Sequence, residues 1–307
     1  MKYTSASFTG IGVALVTPFE HSGNIDYGAL ARLVHYVSQP GGADFLVVAG
    51  STGEAATLNT LEKEQLLQAC IRFNGGKLPL VFGLGGNDTA KQVRLLSETD
   101  WEGVDAVLSV SPAYNKPTQA GIIAHFTAIA DKCPVPVILY NVPGRTASNM
   151  SAETTLALAQ HPNIIGIKEA SGNLEQCIAI AAAKPKDFLL ISGDDLLTLP
   201  MIAIGAAGVI SVMGNAIPVQ FSGMVRNALK GNFTEASHDL YSMVGLNSLM
   251  YEEGNPAGVK AALEIAGICE AGLRLPLTEA SEGLKRKIKD ALAVVGVFAG
   301  EKAGVSR

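Results

Sequence analysis

The 307-residue sequence predicts a closed parallel (β/α)8 TIM barrel, an α/β fold, carrying a C-terminal helical appendage. Three observations lead there. Eight short apolar runs alternate with helical patterns from Ile11 to about residue 230. The runs are apolar on both faces, as strands must be when helices cover a parallel sheet. The last quarter of the chain has helical periodicity and no strand pattern. The expected division is a barrel over 1–230 and a helical domain over 231–307, with no low-complexity linker between them.

The elements follow in order. Ile11 to Thr17 is the first apolar run, closed by Pro18, and Asp26 is placed to cap a helix with Leu30, Leu33, Val34 and Val37 inward. Phe45 to Ala49 precedes Gly50-Ser51-Thr52-Gly53-Glu54. A helix then starts at Asn59, with Glu62 in the position that closes a capping box. The alternation repeats: strand Leu80 to Leu84, helix from Asp88, strand Ala106 to Val110, helix from Thr118, strand Val135 to Tyr140, helix from Ser151. Ile164 to Glu169 is the sixth strand, followed by a helix capped by Asn173 with Gln176 in the box position. Phe188 to Ser192 and Gly208 to Val212 complete the set, and helices are expected near 233–249, 256–266 and 278–298.

Composition narrows the function classes. At 48% hydrophobic residues and a net charge of -5, the chain has a large core and no electrostatic footprint for nucleic acid. Its one basic run, Lys285 to Lys289, alternates with Leu284, Ile288 and Leu292 at helical spacing and reads as the wet face of a helix. Four scattered cysteines without a CxxC pair favour a reducing compartment. Five histidines show no HExxH or i, i+4 pair, so no metal site is expected from them. No apolar span reaches about 18 residues, so a soluble, cytoplasmic protein is expected, bound to neither membrane nor nucleic acid.

Lys168 is the residue around which the chemistry gathers. Alternation puts Gly166 and Lys168 on one face of the sixth strand, and Ile165, Ile167 and Glu169 on the other. The small Gly166 would leave room for the lysine. A buried amine without a partner escapes its desolvation cost by becoming neutral, and a neutral amine attacks carbonyls. The alternative is a lysine paired with Glu169 or Asp194.

Other unusual residues follow the strands at the same end, where barrels of this kind carry function. Gly50 to Glu54 offers two hydroxyls and glycine-freed N–H groups as a carboxylate cradle, or is only a polar turn. Tyr140 shares its face with Ile138 and should look inward, as core filler or as a proton carrier. Arg145, in a loop, is suited to a carboxylate or to solvent. Asp194 and Asp195 invite a divalent cation, though one of them capping the next helix is the commoner outcome. Gly83 to Asp88 lacks the last glycine of a dinucleotide fingerprint. Together these residues outline an imine-forming site for a small acid.

Three motifs in order, Gly50-Ser51-Thr52-Gly53-Glu54, Tyr140-Asn141-Val142-Pro143-Gly144-Arg145-Thr146 and Gly166-Ile167-Lys168-Glu169-Ala170-Ser171-Gly172, resemble the dihydrodipicolinate synthase family of pyruvate-dependent lyases, which is related to N-acetylneuraminate lyase. The likeness runs from about Gly10 to the last helix. It implies a class I enzyme in which Lys168 forms a Schiff base with pyruvate and Ser51 and Thr52 hold its carboxylate. Tyr140, Thr52 and Tyr114 would form a hydroxyl relay, with Tyr114 crossing a dimer interface in a homodimer or homotetramer. Arg145 would bind the carboxylate of aspartate semialdehyde, and Gly193 and Ile210 would line the pocket. The implied product is 4-hydroxy-tetrahydrodipicolinate, on the way to diaminopimelate and lysine, with no cofactor beyond the covalent imine. An aldolase for another keto or sugar acid shares the lysine and tyrosine motifs, and a non-catalytic barrel that binds a keto acid is the third possibility. Lysine-inhibited relatives carry an aromatic residue where this chain has Ala113, an acid at Lys91 and histidines near Thr60 and Lys63, so feedback by lysine should be weak or absent here.

Overall fold

A computed structural model of the chain describes residues 5–296. Eight parallel strands close on themselves in sequence order, β1 pairing with both β2 and β8. The elements run β1 Gly10–Ala14, α1 Tyr27–Val37, β2 Phe45–Val48, α2 Thr60–Asn74, β3 Leu80–Gly83, α3 Thr89–Glu98, β4 Ala106–Val110, α4 Gln119–Ala130 and β5 Val137–Asn141. The chain continues α5 Pro143–Thr146, α6 Ala152–Leu158, β6 Ile164–Glu169, α7 Leu174–Ala183, β7 Leu189–Ser192, α8 Thr198–Ala203, β8 Gly208–Ser211 and α9 Pro218–Leu229. Three helices follow: α10 Phe233–Glu252, α11 Ala257–Ile265 and α12 Glu282–Val294. The expected last helix extended to 298, and residues 297 and 298 lie outside the described residues.

Side-chain alternation sorts the strands into two cores. Phe45, Val47, Val81, Leu108, Ile138, Tyr140, Ile191 and Ile210 fill the barrel, with Phe8 crossing Phe45 edge-on at 5.7 Å. The alternate residues, among them Leu46, Val107, Leu139, Ile167 and Val209, pack outward against the helices. In the C-terminal part, α10 lies along α9, and α12 packs across α10 and α11. On α12 the apolar stripe Leu284, Ile288 and Leu292 is buried, and Lys285 and Lys287 on the wet side pair with Glu264 and Glu252.

Local signals in the sequence set the helix starts. Asp26, Asn59, Asp88, Thr118, Ser151 and Asn173 each accept a backbone N–H three residues on. At Asn59 the box closes reciprocally with Glu62. The expected box at Asn173 does not. Gln176 turns instead to donate to Glu169 Oε2 at 2.9 Å and to the Met150 carbonyl.

The sixth strand departs from simple alternation. Pairing with β5 jumps from Val137 and Ile164 to Ile138 and Gly166, so Ile165 is an extra residue. Ile165 therefore packs with the interior cluster while Ile167 faces the helices, and the two do not share a face as regular alternation predicts. The bulge lies upstream of Lys168, which keeps its inward direction opposite Tyr140.

Candidate active site

Lys168 is buried, 5% exposed, next to Tyr140 on the neighbouring strand, with its Nζ 4.5 Å from the centre of the tyrosine ring. Among the described residues it makes no ion pair. The two carboxylates suggested as partners are engaged elsewhere. Glu169, on the opposite face, accepts from Asn141, Gln176 and the Ser171 N–H. Asp194 Oδ1 accepts the N–H groups of Leu196 and Leu197 at the approach to α8.

Room for the lysine comes from β7 rather than from its own strand. A Cβ on Gly193 would sit 3.0 Å from Lys168 Cε and 2.6 Å from the Ala170 methyl. A Cβ on Gly166 would meet the Leu189 carbonyl at 2.7 Å, so that glycine serves close strand packing. Gly193, at the end of β7, is thus the residue that shapes the lysine's berth.

Tyr140 faces a cavity of about 450 Å³. Ser51, Tyr140 and Arg145 line it, together with Lys63, Val110, Asn255 and Leu277. Arg145 is exposed in the short α5 and donates to the Asn255 carbonyl at 3.3 Å. Thr52 is buried, its hydroxyl accepting from Asn255 Nδ2 at 3.1 Å. Ile210 belongs to the interior cluster that includes Tyr140. Tyr114 stands apart: it is 91% exposed, on a loop whose N–H groups reach Thr146 and, at Ala113, Asn87.

The loop around Thr52 is firmly held. Gly53 and Glu54 donate their N–H groups to Gly50 and Ser51 within the turn, and Thr17 Oγ1 donates to the Gly53 carbonyl at 2.6 Å. Glu54, fully buried, pairs with Lys260 of α11 at 2.6 Å and accepts the Arg274 N–H. The Lys260 ammonium is seated over the Phe19 ring. Neither Asn255 nor the Glu54–Lys260 pair is visible as a motif, because the partners come from opposite ends of the chain.

Backbone strain collects at the same place. Among the described residues, the non-glycine positions with positive φ are Ala49, Glu54, Tyr114, Lys116 and Ala147, all in loops after β2, β4 and β5. Such conformations cost about 1–3 kcal/mol each and persist where surroundings enforce them. Asp195 Oδ2 accepts the N–H groups of Val212 and Met213. Neither aspartate joins a metal site, since no group of three His, Cys, Asp or Glu among the described residues is arranged to hold an ion. No helix among the described residues is long and apolar enough to cross a membrane.

Comparison with known proteins adds the family. The model of the dihydrodipicolinate synthetase family matches residues 7–295. The chain belongs to that family. The 4-hydroxy-tetrahydrodipicolinate synthase of Cytophaga hutchinsonii is 48% identical over 285 residues, covering 93% of this chain and 96% of the relative. That of Flavobacterium psychrophilum is 50% identical, covering 92% and 96%. Among solved family structures, the chloride-inhibited enzyme of Acinetobacter baumannii complexed with pyruvate has a TM-score of 0.91 at 36% identity, covering 94% of this chain and 99% of that one.

Proposed function

We propose that this chain condenses pyruvate with L-aspartate 4-semialdehyde to give 4-hydroxy-tetrahydrodipicolinate, by way of an imine on Lys168. The observation that carries the reading is a buried amine with no carboxylate partner among the described residues, set against a tyrosine that lines an open cavity. The names of the relatives at 48% and 50% identity, and the pyruvate complex of a family structure, support it.

In this reading Lys168 Nζ attacks the pyruvate carbonyl carbon, and the hemiaminal loses water to leave a protonated imine. The imine withdraws electrons, so the methyl group gives up a proton and becomes an enamine carbon. That carbon adds to the aldehyde, whose oxygen takes a proton. The amino group of the second substrate then displaces Lys168 from the imine carbon and closes the ring. Because the imine is the electron sink, the sequence of steps calls for no metal or organic cofactor.

Tyr140, beside the amine, is assigned the proton transfers, with Thr52 and Tyr114 completing a hydroxyl relay. Ser51 and Thr52 bind the pyruvate carboxylate, and Arg145, a planar guanidinium on the cavity wall, binds that of the aldehyde. Gly193 and Ile210 line the pocket. Tyr114 serves the site of a neighbouring subunit, in a dimer or tetramer. Its exposure in the single chain supports this assignment.

Borohydride trapping with pyruvate followed by peptide mapping tests the covalent step. The expected result is one reduced adduct, on Lys168, absent from Lys168→Ala. Label elsewhere, or none, overturns the reading. Turnover with aspartate semialdehyde against sugar aldehydes then separates this activity from that of a sugar-acid aldolase.

A further inference from the structure

The cavity at Tyr140 has a neighbour. A second one, of about 470 Å³, lies between the loop after β3 and the first turns of α2 and α3. The two share a wall, because Lys63, Gly83, Leu84 and Gly85 line both. The function proposed above uses the first cavity and leaves the second without a role.

Three polar groups on the second wall lack partners. Lys63 of α2 is half-buried and Lys91 of α3 is exposed; among the described residues neither ammonium makes an ion pair or a hydrogen bond. Burial and the charge of Lys91 both push the Lys63 ammonium below the ordinary lysine range. Two like charges on one cavity raise each other's energy, and an anion placed with them reverses that cost. Gln92, next along α3, is 4% exposed, and its Oε1 is fully buried with no hydrogen-bond partner. A Cβ on Gly86 would fall 2.3 Å from Gln92 Nε2, so the glycine gives this amide its seat in the wall. A buried amide left unengaged calls for an explanation in function, and it can offer either end to a ligand.

The two carboxylates on the same wall do not neutralise the lysines. Asp88 spends Oδ1 on the Lys91 backbone N–H as the cap of α3, and Glu64 is exposed and pairs with neither lysine.

We propose that the second cavity binds a small organic acid, its carboxylate held by Lys63, Lys91 and the Gln92 amide, and that the occupant acts on the first cavity through Lys63. Both substrates of the proposed reaction carry a carboxylate, and Lys63 adds positive charge to the cavity they enter. An acid bound on the far side of Lys63 offsets that charge. It should therefore raise KM for aspartate semialdehyde and leave kcat unchanged. Only this coupling rests on the function proposed above; the binding does not.

The test is calorimetric titration of the parent protein with glutarate, a five-carbon dicarboxylate, and with cadaverine, a five-carbon diamine, as the charge-reversed control. Glutarate is expected to bind and cadaverine is not. Lys91 lines the second cavity alone, and Lys91→Ala should weaken glutarate about 3- to 10-fold. Lys63→Ala should weaken it about 10-fold or more, and Gln92→Met, which keeps the bulk and loses the amide, about fivefold. In steady-state kinetics glutarate should raise the KM of the parent for the aldehyde. Lys91→Ala should show parent kcat and KM without glutarate and a weaker response to it. No binding of glutarate, or binding of cadaverine with equal affinity, overturns the proposal. So does glutarate binding that is unchanged in Lys91→Ala and Gln92→Met, which would place the acid at Arg145 in the first cavity. Binding lost in the variants but without any effect on the parent KM overturns the coupling through Lys63. Intact binding in a parent protein that turns over no aldehyde sinks the proposed function and leaves the site standing.

Discussion

Lys168 and Gly193 form a fitted pair: the lysine can lie buried because the residue at the end of β7 has no side chain. Gly193→Ala places a methyl 3.0 Å from Lys168 Cε and 2.6 Å from the Ala170 methyl, and β7 cannot retreat without breaking its register with β6. Overpacking of this kind costs about 1–3 kcal/mol. The expected outcome is a lowered urea midpoint together with slowed borohydride trapping; trapping at the parent rate would show that the berth is not fitted. Asp195, a few residues along, makes a pH prediction. Burial pushes its carboxyl from 3.8 up to about 6, against the N–H groups of Met213 and Val212 that favour the anion. The folded state therefore holds this proton more tightly than the unfolded chain. Its contribution to stability is full below the unfolded value and is lost as pH rises through about 6, an amount on the order of 3 kcal/mol. Subtracting the pH–stability curve of Asp195→Asn from that of the parent should leave a slope falling between pH 3.8 and about 6. A flat difference would mean that the carboxyl is not shifted.

At the scale of elements, the loop after β3 and the first turns of α2 and α3 enclose a second cavity of about 470 Å³, lined by Lys63, Lys91, Asn87 and Gln92. Burial pushes the Lys63 ammonium below the usual lysine range, and Lys91 pushes it the same way. A third ammonium brought here would meet both as like charges, set against the carboxylates of Glu64 and Asp88 on the same wall, and would find no ring at Ala113 to stack on. L-Lysine at millimolar concentration is therefore expected to leave turnover unchanged; half-inhibition in that range would refute the argument. The same elements show what the sequence makes legible. The caps Asp26, Asn59 and Asn173 and the helix starts at Asp88, Thr118 and Ser151 were readable because the bond closes within three residues, and the eight strands because burial on both faces leaves unbroken apolar runs. The inward aim of Tyr140 followed from period-two alternation. Ile165 did not follow, because a bulge is a mismatch between two strands and only the register of β5 against β6 reveals it. Gln176 failed as a box residue because its Oε1 accepts from Asn149 Nδ2 and its Nε2 donates to Glu169, while the Asn173 N–H is taken by Ser171 Oγ.

For the whole molecule, the question is whether the helices after β8 are a separate unit or part of the barrel. Thr52 and Asn255 are 203 residues apart in sequence, and no local pattern announces their bond. The Glu54–Lys260 pair is fully buried, with the Gly272 carbonyl taking a further proton of Lys260 and the Phe19 ring beneath it. Burial pushes the Lys260 ammonium below its ordinary value, with Glu54 pulling back the other way. A buried pair of this kind adds little net stability against an apolar replacement of both partners, yet removing one partner strands the other charge at a cost of about 3–5 kcal/mol. Lys260→Met should therefore destabilise the chain by that amount, and Lys260→Met with Glu54→Gln should recover a large part of it. If the helical segment merely docked on an independent barrel, the single substitution would loosen it first, and urea unfolding would split into two steps. The pair instead joins α11 to the loop that bears Thr52, so one transition is expected for the parent and both variants, with fluorescence and circular dichroism changing together. Two resolved transitions would show that the barrel stands without its C-terminal helices.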